Sequence, residues 1–101
     1  LGHTVEQVHP YINADHLIDS YLTMYYGHVA ADLEFAAKLL NTNFSNLDVE
    51  DETKLLGYIG KTISAETFVT AKRRWNDFSQ SMNALHQEYD LLLTPTLGSE
   101  P

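Results

Sequence analysis

The sequence contains no cysteine, so its 101 residues can form no disulfide, no thiolate zinc site and no cysteine nucleophile. Basic residues are also scarce, since six Lys and Arg stand against 14 Asp and Glu for a net charge of −8. That balance repels a phosphate backbone and an anionic membrane surface, so we expect no nucleic-acid partner and no membrane partner. No apolar run reaches the roughly 18 residues that a membrane-spanning helix needs.

Length and composition place the chain among globular proteins. Hydrophobic residues make up 44% of the sequence, which argues against disorder, and 101 residues form one domain at most. The start lacks the charged and apolar segments of a signal peptide, and the absence of cysteine is compatible with a reducing cytosol, so we expect a cytoplasmic protein. The chain begins at Leu1 and ends bluntly at Pro101. We therefore expect residues 1–101 to be a partial domain cut from something longer.

The segment from Asp15 to about Asn41 has the periodicity of one long helix. Asn13 or Asp15 can cap its N-terminus. Apolar residues recur in steps of three and four, at Ile18, Leu22, Tyr25, Val29, Leu33, Ala36 and Leu40. Gly27 inside this segment predicts a bend, a close contact with another helix, or a break into two helices.

A second long helix is predicted from Ser64, which fits an N-cap, to about Glu88. Ile63 and Phe68 occupy the two positions of a hydrophobic staple at its start. Its apolar residues form one seam with 3-4-3-4-3-4 spacing: Phe68, Ala71, Trp75, Phe78, Met82, Leu85 and Tyr89. Core packing is the favoured interpretation of this seam, and a groove filler for a partner or a coiled-coil strand is the alternative.

Between the long helices, residues 41–46 are rich in turn formers and predict a loop. A short helix is predicted over about 50–60, with Asp48 as its cap and Gly60 at its end. The acidic run at 48–52 suits a helix start, and it lacks the glycine and spacing of a calcium loop.

Residues 89–96, Tyr-Asp-Leu-Leu-Leu-Thr-Pro-Thr, predict a short buried strand. Pro95 cannot donate a hydrogen bond to a ladder, so pairing should end there. Residues 1–8 alternate weakly between apolar and polar and predict a second short strand, which Pro10 would end. We therefore expect a mainly α chain with one or two short strands. A strand this apolar needs a sheet, and the rest of the sequence offers no good partner for it.

The loop after the predicted strand is the candidate functional site. In open α/β sheets, ligands bind beyond the carboxyl ends of the strands. Thr94, Pro95 and Thr96 are therefore candidates for the wall of a substrate pocket. The alternative is that these three residues do no more than end a strand.

Several segments resemble the C-terminal third of the amidase signature family. Members carry a long helix with an aromatic residue, then an acidic and aliphatic strand that ends in Pro-Thr; residues 74–78 and 89–96 match this pattern. Residues 1–6 and the helix around 30–32 are similar to the family's segments in the same order. The pattern is closer to general bacterial amidases than to the tRNA-dependent amidotransferase subunit. The resemblance implies that the chain is the helical, C-terminal part of an α/β amidase signature domain.

The resemblance also implies an activity for the intact protein. It would hydrolyse carboxamide C–N bonds of a small-molecule amide through a serine acyl-enzyme, with no cofactor. The family's set is a serine nucleophile, a second serine with a cis peptide and a lysine base, all N-terminal to the matched region. No serine here has a Gly-Ser-Ser or Gly-x-Ser-x-Gly context, so we assign no catalytic residue to this chain; the serines are Ser20, Ser45, Ser64, Ser79, Ser81 and Ser99.

The sequence also bears on metal binding and on self-association. The histidines follow no metal-ligand spacing, so we predict no metal site; those considered are His3, His9, His16 and His28. Apolar surface that belongs against a missing sheet is adhesive, so we expect the isolated chain to self-associate. The alternative function is a helical protein-interaction module that carries out no chemistry.

Overall fold

The computed structural model describes residues 2–98, which form three α-helices and contain no strand. The helices are α1 (Ala14–Leu39), α2 (Asp51–Lys61) and α3 (Ala65–Leu85), and a single 3-10 turn, Phe44–Asn46, lies between α1 and α2. Helix accounts for 63% of this part of the chain. The expectation of a mainly α chain is therefore confirmed.

The predicted N-caps of the two long helices are present. The Asn13 side chain accepts a hydrogen bond from the His16 N–H at 3.2 Å, and Ser64 Oγ accepts one from the Thr67 N–H at 3.0 Å. Each bond satisfies one of the N–H groups that a helix start leaves without an intrahelical partner. The residue before α2 is Glu50 rather than the predicted Asp48, and its side chain makes no capping bond.

Helix α1 ends two residues before the predicted Asn41 because Asn41 adopts a left-handed backbone with φ 51°. The Asn41 N–H bonds to the Lys38 carbonyl at 3.2 Å, and the Thr42 N–H bonds to the Ala37 carbonyl at 2.9 Å. This pair of reversed bonds is a Schellman motif, in which asparagine is the usual substitute for glycine. Helix α3 likewise ends at Leu85, before the expected Glu88, and closes through tighter turns over residues 86–89.

Helix α2 packs tightly on the second half of α1 because two glycines face it. A Cβ on Gly60 would collide with the Tyr26 carbonyl oxygen and would lie 2.8 Å from the Ala30 Cβ. A Cβ on Gly57 would lie 2.7 Å from a Leu33 methyl carbon. The adjoining hydrophobic core is small and is composed of Leu33, Ala37, Phe44 and Leu47. The two glycines therefore set the distance between the helices.

Helix α3 packs on the first half of α1, and the predicted seam faces inward. Every seam residue within α3 is at least partly buried, and every other α3 residue is exposed. The Trp75 ring lies 6.2 Å from the Tyr21 ring, centroid to centroid. A Cβ on Gly27 would lie 2.8 Å from the Phe68 ring, and α1 runs unbroken through Gly27. Of the three predicted roles of Gly27, the close helix contact is the one observed.

An ion pair between Lys61 and Glu34 joins α2 to α1 on the exposed side of their contact. The hydrogen bond from Lys61 lowers the pKa of the Glu34 carboxyl, and partial desolvation opposes this effect. The same ammonium group lies 3.8 Å from the centroid of the Phe44 ring, a cation–π distance.

The predicted strands at residues 1–8 and 89–96 are wrong for the described part of the chain, where both stretches are irregular. Leu91 and Leu93 are 85% and 93% exposed. A strand forms only when its backbone groups find a ladder partner, and residues 2–98 supply none. Leu1 lies outside the described residues. No described helix combines the length and the apolarity needed to cross a bilayer.

We predict that Gly60→Ala destabilises the fold by a net of about 1 kcal/mol. The added methyl group must push α2 away from the α1 backbone, and overpacking of this kind costs about 1–3 kcal/mol while the gain in helix propensity returns about 1. Thermal unfolding followed by circular dichroism should show a Tm lower by several degrees. Gly98→Ala is the matched control, since nothing lies within 4 Å of its added Cβ. Equal Tm values for the two variants would contradict the packing argument.

Candidate functional site

The predicted pocket residues Thr94, Pro95 and Thr96 lie in an exposed tail, residues 90–98, that follows α3. Within residues 2–98, no hydrogen bond or ion pair joins this tail to the rest of the chain. The backbone N–H and C=O groups of the tail are therefore free to pair with another element. All three candidate residues are exposed to solvent.

Tyr89, the residue just before the tail, is hydrogen-bonded to the N-terminal segment. The Tyr89 hydroxyl donates a hydrogen bond to Glu6 Oε2 at 3.2 Å, across 83 residues of sequence. This bond to the Glu6 carboxylate raises the pKa of the Tyr89 hydroxyl, since ionisation would remove the donor. The contact brings together the two stretches that the sequence predicted as strands. Sequence patterns placed Tyr89 at the end of the seam but gave no signal for its partner.

A second candidate site is the open groove between α1 and α3. It has a volume of about 330 Å³ and is lined by Asp19, Thr23, Glu66, Thr67, Thr70, Ala71 and Arg74. Asp19 and Arg74 lie 3.5 Å apart across the groove and partly neutralise each other. Hydroxyl groups are present, but no lysine or histidine is among the lining residues to accept a proton from them. The groove therefore lacks the serine and lysine that the amidase signature resemblance implies for acyl transfer.

The serine hydroxyls of residues 2–98 are engaged in local hydrogen bonds rather than in a catalytic array. Ser20 is fully buried and donates to the His16 carbonyl at 2.8 Å. Ser79 and Ser81 donate to backbone carbonyls one turn earlier in α3, and Ser64 caps the same helix. Bonds of this kind belong to helix capping and back-bonding. Ser99, also considered from the sequence, lies outside the described residues.

The acidic and imidazole side chains do not gather into a metal centre in the described part of the chain, where no three His, Asp or Glu groups are placed to hold an ion. His28 instead makes an edge contact with the Phe68 ring, with centroids 5.6 Å apart. It thus supports the contact between α1 and α3.

Comparison with known proteins gives one informative relative, a lipoamidase of Enterococcus faecalis that is 31% identical to this chain over 101 residues. The match takes in 97% of this chain but only 14% of the length of the lipoamidase. No protein-family profile matches the chain, and no solved structure matches it. The chain is therefore similar, along nearly all of its length, to a small part of an amide-cleaving enzyme.

We predict that Tyr89→Phe releases the N-terminal segment from the tail without loss of helix. The substitution keeps the ring and removes only the hydroxyl that bonds Glu6. Heteronuclear NOE values for residues 2–12 should fall, while the far-ultraviolet circular dichroism spectrum stays unchanged. Tyr11→Phe, at a ring that is 90% exposed, is the control and should leave the NOE values as they are. Unchanged values in the Tyr89 variant would show that the contact does not hold the segment.

Proposed function

We propose that this chain is a helical segment of an amidase signature hydrolase, in which it supplies scaffold for the catalytic body. The observation that carries the proposal is the 31% identity to a lipoamidase across 97% of the chain. The matching order of segments noted in the sequence supports the same family. In this proposal the nucleophile and base come from outside the segment, because the serines of residues 2–98 are committed to local bonds.

The shape of the molecule supports a scaffold role. Its radius of gyration is 18.8 Å, whereas a compact domain of about 100 residues has a value near 13 Å. Its extents of 59 × 33 × 23 Å describe an elongated molecule with a small core. Helices α2 and α3 both pack on α1, and residues 2–98 contain no sheet for this helical unit to cover. In this proposal the remaining part of a larger enzyme provides that sheet.

The exposed tail indicates where this helical unit would meet the sheet of the larger enzyme. Leu91 and Leu93 are almost fully exposed, and their spacing of two places both on one face of an extended chain. Their backbone groups are unpaired within residues 2–98. We propose that the tail joins a sheet of the catalytic body as a strand, ended by Pro95. Thr94, Pro95 and Thr96 then lie at the carboxyl end of that strand and line the pocket for the acyl group of the amide substrate.

The chemistry of this proposal is amide hydrolysis through an acyl-enzyme. A serine oxygen attacks the amide carbonyl carbon, the C–N bond breaks, and the amine leaves with the proton that the base took from the serine. Water then cleaves the ester and restores the serine. The segment described here holds no group for these steps, so its contribution is to position the others and to bound the pocket.

The proposal predicts that the purified chain of 101 residues cleaves neither lipoamide nor a simple carboxamide, whereas a longer polypeptide containing it cleaves at least one. Ammonia release measures both activities. Hydrolysis by the short chain that is lost in its own Ser64→Ala variant would contradict the scaffold role. Absence of amide hydrolysis in the longer polypeptide would contradict the assignment to this class of enzyme.

The pocket role of the tail predicts that Thr94→Val in the longer polypeptide lowers kcat/KM by about two- to tenfold, the usual effect of losing one hydrogen bond to a ligand. The change is nearly isosteric, so folding should be preserved. Thr62→Val, at the exposed C-terminal end of α2, is the control and should leave kcat/KM unchanged. A kcat/KM equal to that of the unsubstituted enzyme would assign residues 94–96 the purely structural role of ending a strand.

A further inference from the structure

The N-terminal segment, residues 2–12, and the tail meet the helices at the same end of the molecule. Helices α1 and α3 are antiparallel, as two contacts between them show. Phe68 lies against Gly27. Trp75, which comes later in α3, lies against Tyr21, which comes earlier in α1. The N-terminal segment therefore runs toward this end of the helix pair, and the tail runs away from it.

Neither segment has its backbone groups paired. In the part of the chain that the structure describes, no backbone–backbone hydrogen bond involves residues 2–12 or 90–98. The two segments are joined instead through side chains, by the bond of 3.2 Å between the Tyr89 hydroxyl and Glu6 Oε2. Side chains of neighbouring strands interact in this way when their residues lie opposite each other. Two strands without a third are marginal in water, so both segments remain irregular when residues 2–98 stand alone.

We propose that residues 3–6 and 89–92 become neighbouring antiparallel strands in the sheet of the larger enzyme, with Glu6 opposite Tyr89. The inference rests on the proposed function, because the larger enzyme supplies the third strand that makes the pair stable. The direction follows from the helices. One segment runs toward the shared end of α1 and α3 and the other runs away from it, so two strands lying side by side there are antiparallel.

The prolines favour the antiparallel register over a parallel one with the same Glu6–Tyr89 contact. In the antiparallel register Pro10 lies opposite Leu85, which is still helical, so it falls outside the ladder. In a parallel register Pro10 lies opposite Leu93, within the leucine run. A proline there could not donate a hydrogen bond to the ladder.

The antiparallel register also gives exposed apolar side chains a common face. Thr4 lies opposite Leu91, and Val5 lies opposite Asp90. Val5 and Leu92 are then diagonal neighbours on one face, within reach of each other. Val5 is 85% exposed and Leu92 is 38% exposed in the described chain, so both gain burial from the pairing. The partner that this two-stranded unit fits is an open sheet edge with free backbone groups.

Disulfide trapping in the longer polypeptide tests the register, since the 101 residues contain no cysteine of their own. Thr4→Cys combined with Leu91→Cys should form a disulfide on mild oxidation, because directly opposed residues have Cα atoms about 4.5–5.5 Å apart, within the disulfide range. Val8→Cys combined with Leu91→Cys is the matched control. These two positions are opposite only in the parallel register and lie about 13 Å apart along the strands in the antiparallel one. Mass spectrometry of a proteolytic digest identifies the linked peptides.

We expect linkage of the first pair and loss of linkage in the control. Linkage of the control pair alone overturns the antiparallel direction, and absence of linkage in both overturns the pairing. Circular dichroism checks that the variants fold. If Leu91→Cys prevents folding, Val5→Cys combined with Asp90→Cys tests the same register without altering a leucine.

The linkage measurement is independent of amide hydrolysis. Ammonia release by the unsubstituted longer polypeptide, without linkage in the cysteine variants, overturns this inference and leaves the proposed function standing. Linkage without ammonia release contradicts the proposed function and supports the pairing.

Discussion

The close approach of α2 to α1 at Gly57 and Gly60 is the constraint on which the fold depends. Both of the other helices pack on α1, and the core of Leu33, Ala37, Phe44 and Leu47 forms only if α2 lies against the α1 backbone. In a domain this thin, few other apolar contacts exist that could compensate for a wider gap. The two glycines lose helix propensity, and the packing that they permit offsets that loss.

The packing of α2 and α3 also determines which face of α1 remains exposed. Because α2 occupies the second half of the helix and α3 the first, the remaining arc of α1 is left apolar and open along Ile18, Leu22 and Tyr25. The tail after α3 is equally open but has no regular structure of its own. A helix face and an unpaired extended segment differ in what can cover them, since the first presents side chains and the second also presents backbone N–H and C=O groups. The described residues therefore leave two chemically different surfaces exposed.

Local chemistry made the helices predictable from the sequence. The Asn13 and Ser64 caps, the 3-4 seam of α3 and the turn-rich residues 41–46 are all signals that act within a few residues, and each lies where expected. The strand predictions failed in residues 2–98 for the opposite reason, since pairing depends on a distant partner. The Tyr89–Glu6 bond spans 83 residues and has no local signature. The sequence placed Thr94, Pro95 and Thr96 at the end of a paired strand, so their exposed position was not predicted. Residues 2–98 provide no partner for that strand.

A leucine triplet in water is unfavourable unless something covers it, and this favours the proposed scaffold segment over a free-standing module. Burial of an exposed leucine stabilises a protein by roughly 25 cal/mol for each Å² of apolar surface removed from water. A module that functions alone never obtains this stabilisation from Leu91 and Leu93, and polar residues would suit those exposed positions better. A strand destined for a sheet interior keeps its leucines, because burial there returns that free energy. The serines of residues 2–98 cap and support helices, which agrees with the proposed scaffold role. The small core, the unpaired backbone of residues 90–98 and the 31% identity to a lipoamidase over 97% of the chain all support that proposal.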